Sequence, residues 1–185
     1  HVGLVENGQP IVIPMTYGRV GDKFYLHGST GSRLMRLLAE NSAVCISITE
    51  LNALKVARST FNTGMHYRAA VIFGKAELVP DAQKLEALDA LSDGLIPGRV
   101  AETRRTTKKE LAATIIIQVN LNETSVKISK NEVDDPEEDL NLGYWAGIVP
   151  IRTVIGEPIP ADDEARGLAI PESIRRFAER YAKGR

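Results

Sequence analysis

A strong turn signal, Asn7-Gly8, stands between two runs of strand-forming residues at the start of the chain. Asn-Gly flanked by such runs is the strongest short-range signal for a β-hairpin, because both turn positions need a positive φ. We therefore predict a strand over residues 1–6 paired with a second strand over residues 9–17. Pro10 and Pro14 cannot donate ladder hydrogen bonds, so the second strand should lie at a sheet edge or beside a bulge.

Strand signals recur along most of the chain, whereas helical patterns are few and short. Helices are predicted after residue 32, after Asp81, at the capping-box sequence Thr107–Glu110 and after Pro171. Strands and helices do not alternate regularly, which argues against a doubly wound parallel sheet. The predicted fold class is mainly β with α decoration (α+β), a barrel or sandwich of about seven strands. After the hairpin, strands are predicted over residues 23–27, 43–50, 54–59, 67–78, 115–119, 125–129 and 145–151.

The charge balance argues against nucleic-acid binding. The chain has 23 Lys and Arg residues against 24 Asp and Glu residues, a net charge of −1, whereas nucleic-acid-binding proteins usually carry a basic excess on one face. The basic stretch 99–109 and the acidic stretch 132–139 are predicted to coat solvated loops. No run of about 18 apolar residues is present, so no membrane-spanning helix is predicted.

The only cysteine, Cys45, excludes a disulfide framework within the chain and favours a reducing compartment. We therefore expect a cytoplasmic protein. Because Cys45 lies within the apolar run 43–48, we predict that it packs in the core rather than acting as a nucleophile. There is no signal peptide, and the chain does not begin with methionine, so the natural N-terminus is expected to precede His1.

The segment Tyr25–Arg33 carries the most informative chemistry, because a loop of glycines and hydroxyl residues joins a predicted strand to a predicted helix. Free amides at a helix N-terminus, hydroxyl groups and the Arg33 guanidinium could together hold a phosphate. An ordinary helix cap explains the same residues, with a Ser or Thr hydroxyl accepting a backbone N–H and Arg33 in solvent. The loop by itself leaves both interpretations open.

Several short motifs follow one another in a fixed order up to residue 155. They lie at residues 9–14, 26–33, 57–68, 73–74, 97–99, 110–114 and 145–150. In this order they resemble the pyridoxamine 5'-phosphate oxidase-related flavoproteins, in particular their flavin-nucleotide-binding branch. The resemblance implies an antiparallel, FMN-binding split β-barrel over residues 1–155 and a C-terminal extension with a helix over residues 156–185. It also implies a homodimer with FMN at the subunit interface and a small-molecule substrate.

The resemblance further implies which residues contact the cofactor, when the family's motifs are carried over by position. The implied contacts are Ser32 and Arg33 at the FMN phosphate, His27, Gly28, Ser29 and Thr30 along the phosphate–ribityl side, Ile13, Pro14 and Met15 along the isoalloxazine ring, Tyr67, Arg68 and Ala69 at its far edge, and Lys127 within a Ser-x-Lys segment.

Two positions depart from the family pattern. The family often has Ser-x-Lys-x-Arg after the buried strand, and this chain has Ser125 and Lys127 but Ser129 at the arginine position, with Lys130 next to it. Asparagine commonly precedes the tyrosine, and this chain has His66 there. The serine at the arginine position weakens the expectation that this segment clamps the flavin, although Lys130 could compensate, and no role follows for His66.

Two single residues remain open between functional and structural roles. His27 is the candidate catalytic residue, because imidazole exchanges protons near neutral pH, but a cofactor contact or a loop-orienting role is the preferred interpretation, because catalysis also requires a proton-transfer geometry that the sequence does not give. Trp145, the only tryptophan, could stack near the flavin from the partner subunit or pack at an interface. Lys55 and Arg58 are expected to face solvent.

Three functions are compatible with these features. The first is an FMN-dependent oxidoreductase acting on a small acceptor, in which the protein binds, orients and tunes the flavin. The second is a detoxifying protein similar to nitroimidazole reductases, with His27 near the reaction. The third is a non-enzymatic flavin or haem carrier. No metal site and no serine hydrolase motif is evident.

Overall fold

A computed structural model describes residues 1–40 and 42–182 of the chain, with side chains described as far as residue 180. The described part is mainly β, with antiparallel strand pairs and short helices, as predicted. The strands are β1 (Val2–Glu6), β2 (Gln9–Ile13), β3 (Tyr17–Val20), β4 (Lys23–Ser29), β5 (Ala43–Val56), β6 (Gly64–Lys75), β7 (Glu77–Leu78), β8 (Thr114–Asn120), β9 (Glu123–Ser129) and β10 (Gly147–Pro150). The helices are α1 (Arg33–Ala39), α2 (Lys84–Leu95), α3 (Lys108–Ala112), α4 (Asp163–Arg166) and α5 (Glu172–Ala182).

The strands form two sheets. The first has six strands in the order β2-β1-β5-β6-β9, with β10 pairing to the far end of β5, and the second has four in the order β3-β4-β8-β7. Asn7 and Gly8 both adopt a positive φ, of 50° and 79°, so the predicted hairpin is confirmed and β2 is an edge strand. β2 ends at Ile13, because the chain leaves the first sheet at Pro14 and enters the second at Tyr17.

β5 is one strand of 14 residues, whereas the sequence predicted two separate strands in this region. Its pairing with β6 shifts by one residue between Leu51 and Ala53. Before this bulge the buried side chains are Val44 and Ile46, and after it the buried side chain is Ala53. The bulge therefore reverses the alternation of buried and exposed positions. Because of this reversal, one continuous strand has the sequence pattern of two separate strands.

The main core lies between the two sheets. The inner face of the first sheet contributes Val2, Leu4, Val44, Ile46 and Ile72, which pack against Phe24, Leu26, Ile117 and Val119 of the second sheet and against Met35 and Leu38 of α1. Cys45 was predicted to pack in this core, and that prediction is wrong. Successive strand residues point to opposite faces, so Cys45 lies half-buried on the other face of the sheet.

Two glycines allow the helices to approach the second sheet closely. A Cβ at Gly28 would lie 2.7 Å from Met35 Cγ, and a Cβ at Gly18 would lie 2.8 Å from Leu91 Cα of α2. Such separations are too short for real side chains, so α1 and α2 could not occupy these positions against larger residues. Gly28 is thus required for packing, whatever its role towards a cofactor.

The C-terminal region is attached to the rest of the protein at two points, β10 and the start of α5. β10 pairs with β5 through Gly147–Pro150, and residues 151–160 then have no regular structure. At the start of α5 the buried Ser173 donates its N–H to Glu102 Oε1 at 3.0 Å and its hydroxyl to Glu102 Oε2 at 2.5 Å. The proposed division between residues 1–155 and 156–185 stays a prediction, and residues 183–185 lie outside the described residues.

This attachment of α5 should depend on pH. The Ser173 hydroxyl and N–H, and more weakly the Arg99 charge, hold the pKa of Glu102 below its usual 4.5. A carboxyl whose pKa is lowered in the folded state stabilises the fold above the pKa of the unfolded chain, and this stabilisation is lost as the pH falls through the lower, folded value. We therefore expect Glu102→Gln to be less stable than wild type at pH 7, with the difference shrinking below pH 4.5.

Urea unfolding of both proteins at a series of pH values measures this effect. Exposed Glu157, in the unstructured segment, provides the control, and Glu157→Gln should follow the wild-type curve. A constant difference between Glu102→Gln and wild type from pH 7 to pH 3 would contradict the carboxylate's role.

Candidate cofactor site

The loop predicted to hold a phosphate is organised by its own hydrogen bonds. The Ser32 hydroxyl accepts the Met35 N–H at 3.4 Å and caps α1. The Ser29 hydroxyl accepts the Gly31 N–H at 3.1 Å, and the Thr30 N–H donates to Ala113 O at 3.0 Å. The helix-cap interpretation is therefore confirmed for Ser32. Phosphate binding by these residues stays a prediction. A bound phosphate would have to displace these hydrogen bonds or share their donors.

Arg33, which was predicted to clamp the phosphate, forms an ion pair with an acidic side chain. Its guanidinium forms a two-pronged ion pair with Glu6 at the end of β1. The hydrogen bonds that Arg33 donates to Glu6, and then the negative charge of Glu6, raise the pKa of Arg33 above its usual value. An incoming phosphate would therefore compete with the Glu6 carboxylate for the same donors.

The three residues predicted to lie along a flavin ring sit where the chain passes from the first sheet to the second. Ile13 and Pro14 are exposed, so they offer an apolar surface. Met15 is half-buried and packs against the main core. Only the first two are therefore fully available to a ligand in the protomer.

Tyr67, Arg68 and Ala69 were predicted to contact one edge of the flavin, but consecutive residues of β6 point to opposite faces. Tyr67 and Ala69 lie on the outer face with Lys127, whose Nζ is 5.8 Å from the Tyr67 ring centroid. Arg68 lies on the inner face and pairs with Glu50 at 2.5 Å. One flavin edge on a single face of the sheet can therefore meet Tyr67 and Ala69 or Arg68, but not all three side chains.

Trp145 lies just before β10 and is 65% exposed. A Cβ at Gly147 would lie 2.9 Å from the Trp145 ring, so the ring rests against this glycine. Its exposed area is compatible with stacking on a cofactor and with packing against a partner subunit, the two roles predicted for it.

His27 lies on β4 opposite Ile116 of β8. Its neighbour Leu26 is fully buried in the main core, so His27 points to the other side of the second sheet. Nδ1 of His27 is buried and has no hydrogen-bond partner among the described residues. Buried polar atoms in folded proteins are nearly always paired. Because of this unpaired nitrogen, His27 is the candidate ligand-binding residue of this region.

The sequence analysis missed an ion pair between Arg58 and Asp135. The Asp135 carboxylate, 1% exposed, accepts the Arg58 backbone N–H at 3.0 Å and its Nη1 at 2.9 Å. Arg58 was expected to face solvent and residues 132–139 to form a solvated loop, and at these two positions both expectations are wrong. No sequence signal marked the pair, because 77 residues separate its members.

A family model described as pyridoxamine 5'-phosphate oxidase matches residues 1–128 of the chain. The chain belongs to the pyridoxamine 5'-phosphate oxidase family. Its fold is accordingly the split barrel of that family, as the sequence predicted. No protein of curated function matches the chain.

Two solved structures resemble this family member along nearly its whole length. The FAD and haem binding protein from Mycobacterium smegmatis is 44% identical, with a TM-score of 0.92, and the match covers 96% of this chain and 87% of that one. The flavocytochrome Anf3 from Azotobacter vinelandii is 36% identical, with a TM-score of 0.87 and coverage of 95% and 82%.

A third structure is more distant and shows likeness of fold alone. It is a candidate 5-nitroimidazole antibiotic resistance protein from Bacteroides thetaiotaomicron, 22% identical with a TM-score of 0.57, and the match covers 68% of this chain and 73% of that one. Within the described part of this family member, no helix has both the length and the apolar character needed to cross a membrane.

Proposed function

We propose that this chain binds a flavin nucleotide and haem and acts as an electron-transferring oxidoreductase. The observation that carries the proposal is its 44% identity, over 87% of that chain, to a protein that binds FAD and haem, together with its similarity to a flavocytochrome. The first of these neighbours, which is described as binding FAD, favours FAD over the FMN implied by the family resemblance. The nitroimidazole reductase-like alternative has support only at the level of fold.

The residues present fit such cofactors. His27 has a buried Nδ1 without a partner among the described residues, and imidazole nitrogen is a common ligand of haem iron, so His27 is the residue that would hold the iron. Lys127 with Tyr67 on the outer face, or Arg68 on the inner face, could meet the phosphates or ring of a flavin. When bound, the two groups would supply the redox chemistry, and the chain's own residues would bind and orient them.

A homodimer is part of the proposal, because one whole face of the first sheet is uncovered. This outer face carries Val5, Val12, Leu51, Tyr67 and Phe73, of which all but Tyr67 are exposed. Register places Val12, Cys45 and Phe73 in one row. Contiguous exposed apolar surface of this kind marks an interaction site, and a second copy offers a matching apolar face.

Phe73→Asp tests the dimer directly. Phe73 is 50% exposed, so the change should spare the protomer fold but place an unpaired charge in the interface. We expect the dimer dissociation constant to rise about 100-fold or more, because buried unpaired charges are strongly unfavourable. Light scattering after size-exclusion chromatography measures this. Leu78→Asp, at a position 49% exposed on the second sheet, is the matched control, and equal behaviour of the two variants would contradict the assigned interface.

The cofactors are tested on the purified protein. A visible spectrum with both a Soret band and oxidised-flavin bands, and release of FAD identified by mass, would support the proposal. Release of FMN instead would return the flavin to the one implied by the family resemblance. Flavin without any haem uptake would remove the flavocytochrome assignment, and failure to bind either cofactor would overturn the proposal.

A further inference from the structure

A segment without regular structure, residues 151–160, leads from β10 towards α4. We call it the strap. Its aliphatic side chains are uncovered, since Val154 is 78% exposed and Ile159 is 91% exposed. Only two of its residues, Arg152 and Glu157, are charged. Soluble proteins rarely leave neighbouring apolar side chains in solvent without a function, so the strap has the composition of a segment that another surface covers.

The strap is fixed at its start, but its own protomer does not hold it along its length. Ile151 donates its N–H to Asn52 O at 2.8 Å. None of residues 152–160 takes part in a hydrogen bond or an ion pair within the described part of the chain. Pro158 and Pro160 restrict the backbone and have no N–H. The strap is therefore a stiff, apolar segment whose contacts within the protomer are few.

A groove of about 550 Å³ opens on the outer face of the first sheet, beside β1 and β2. Register places Gly3 between Val12 and Cys45, so the glycine, which has no side chain, leaves space between its two neighbours. Val5 and Pro10 also line the groove, and none of the lining residues is charged. The groove can therefore receive aliphatic side chains but offers no charged group to a polar ligand.

The strap and the groove belong to the same exposed apolar surface. Val149 of β10 pairs with Leu54, and Leu54 pairs with Met65, two residues before the outward-facing Tyr67. Val149 and Leu54 therefore lie on the outer face, and both are exposed. The outer face thus carries exposed apolar side chains both at the groove and where the strap begins. A twofold-symmetric contact requires each copy to present both halves of the contact, and this chain presents both.

We infer that the strap of each protomer lies on a second copy of the chain and places its aliphatic side chains in the groove of that copy. The inference rests on the homodimer of the proposed function and names the segments that hold it together. Ten residues of extended chain span up to about 33 Å, which is long enough to lie across a neighbouring subunit. Removing the apolar surfaces of strap and groove from water drives the association.

Two pairs of alanine changes test this contact. The strap pair is Val154→Ala with Ile159→Ala, and the groove pair is Val5→Ala with Val12→Ala. Each pair should raise the dimer dissociation constant about tenfold or more, because a symmetric dimer contains the contact two times. The two pairs together should raise it by less than the product of their separate effects, since both remove the same contact. Sedimentation equilibrium of the purified proteins measures the constants.

Val20→Ala with Leu78→Ala is the matched control. Both positions are exposed on the second sheet, so this pair should dimerise like wild type. The strap and groove positions are exposed in the protomer as well, so all variants should keep the fold, which circular dichroism checks.

The outcomes separate this inference from the proposal on which it rests. A wild-type dimer whose dissociation constant the strap pair leaves unchanged would overturn the inference, while the homodimer would stand. Fully multiplicative effects of the two pairs would place the strap outside the groove and would also overturn it. A wild-type protein that stays monomeric would overturn both the strap contact and the homodimer. The visible spectrum reports the flavin and haem independently of all these results.

Discussion

Replacing His27 by Ala is expected to abolish the Soret band of the haem-loaded protein while leaving the flavin bands in place. His27 is the histidine whose buried Nδ1 lacks a partner among the described residues, so this nitrogen is not engaged in a hydrogen bond within the described part of the chain. Loss of the residue that would bind the haem iron should weaken haem binding far more than loss of a peripheral contact, because the metal–ligand bond itself would be missing. The spectrum of the variant, reconstituted with haem beside wild type, measures the effect.

His66→Ala provides the comparison for this experiment. The Nε2 atom of His66 already donates to Asn131 O at 2.7 Å, so the His66 ring is held by a hydrogen bond within the protein, and we expect the Soret band to survive. Loss of the flavin bands alone in His27→Ala would make His27 a flavin contact, as the family resemblance implied. An unchanged spectrum would remove His27 from both roles. His27→Gln, which keeps a polar side chain of similar length, separates these results from simple misfolding.

Asp135→Ala is expected to cause the largest loss of stability among single changes outside the core. The carboxylate is 1% exposed and accepts both the backbone N–H and the guanidinium of Arg58. Removing it leaves a largely buried cation and an amide without partners. Breaking a buried pair costs about 3–5 kcal/mol, and because Arg58 remains a quarter exposed we expect about 2–3 kcal/mol.

Urea unfolding at pH 7 measures this loss. Asp134→Ala is the matched control, because the neighbouring Asp134 is exposed, and surface changes of this kind usually stay within about 0.5 kcal/mol. A double-mutant cycle with Arg58→Ala isolates the pair, and coupling above about 1 kcal/mol is expected. Equal stability of the Asp135 and Asp134 variants would show that the pair contributes nothing to folding.

Features that depend on near neighbours in the chain could be predicted from the sequence. The Asn7-Gly8 turn and the Thr107–Glu110 capping box form as expected, and Ser32 caps α1, which was one of the two interpretations that the loop left open. In the capping box, hydrogen bonds that Glu110 accepts from Arg104 and then from Thr107 lower the pKa of Glu110 to about 2. Both donors lie within six residues of Glu110 in the chain. Each of these involves groups within a few residues of one another, so local preferences suffice.

The candidate site was predictable only in part. The sequence marked His27 and the residues around Tyr67, but not that Arg68 turns to the opposite face or that Arg33 pairs with Glu6, 27 residues away. Side-chain direction along a strand follows from alternation, but which face meets a cofactor depends on what the neighbouring strands cover. That information lies in the register of the sheet.

The amino-acid sequence by itself therefore determined the mainly β character of this chain, its hairpin turn, its capping box and the family to which it belongs. The tertiary structure alone decided that Asp135 is buried against Arg58 and that β5 is one strand with a bulge rather than two strands. It also decided that His66 and Lys130 lie beside the same pocket. These arrangements join residues far apart in the chain. They depend on a strand register set by packing of the whole core, which no short stretch of sequence encodes.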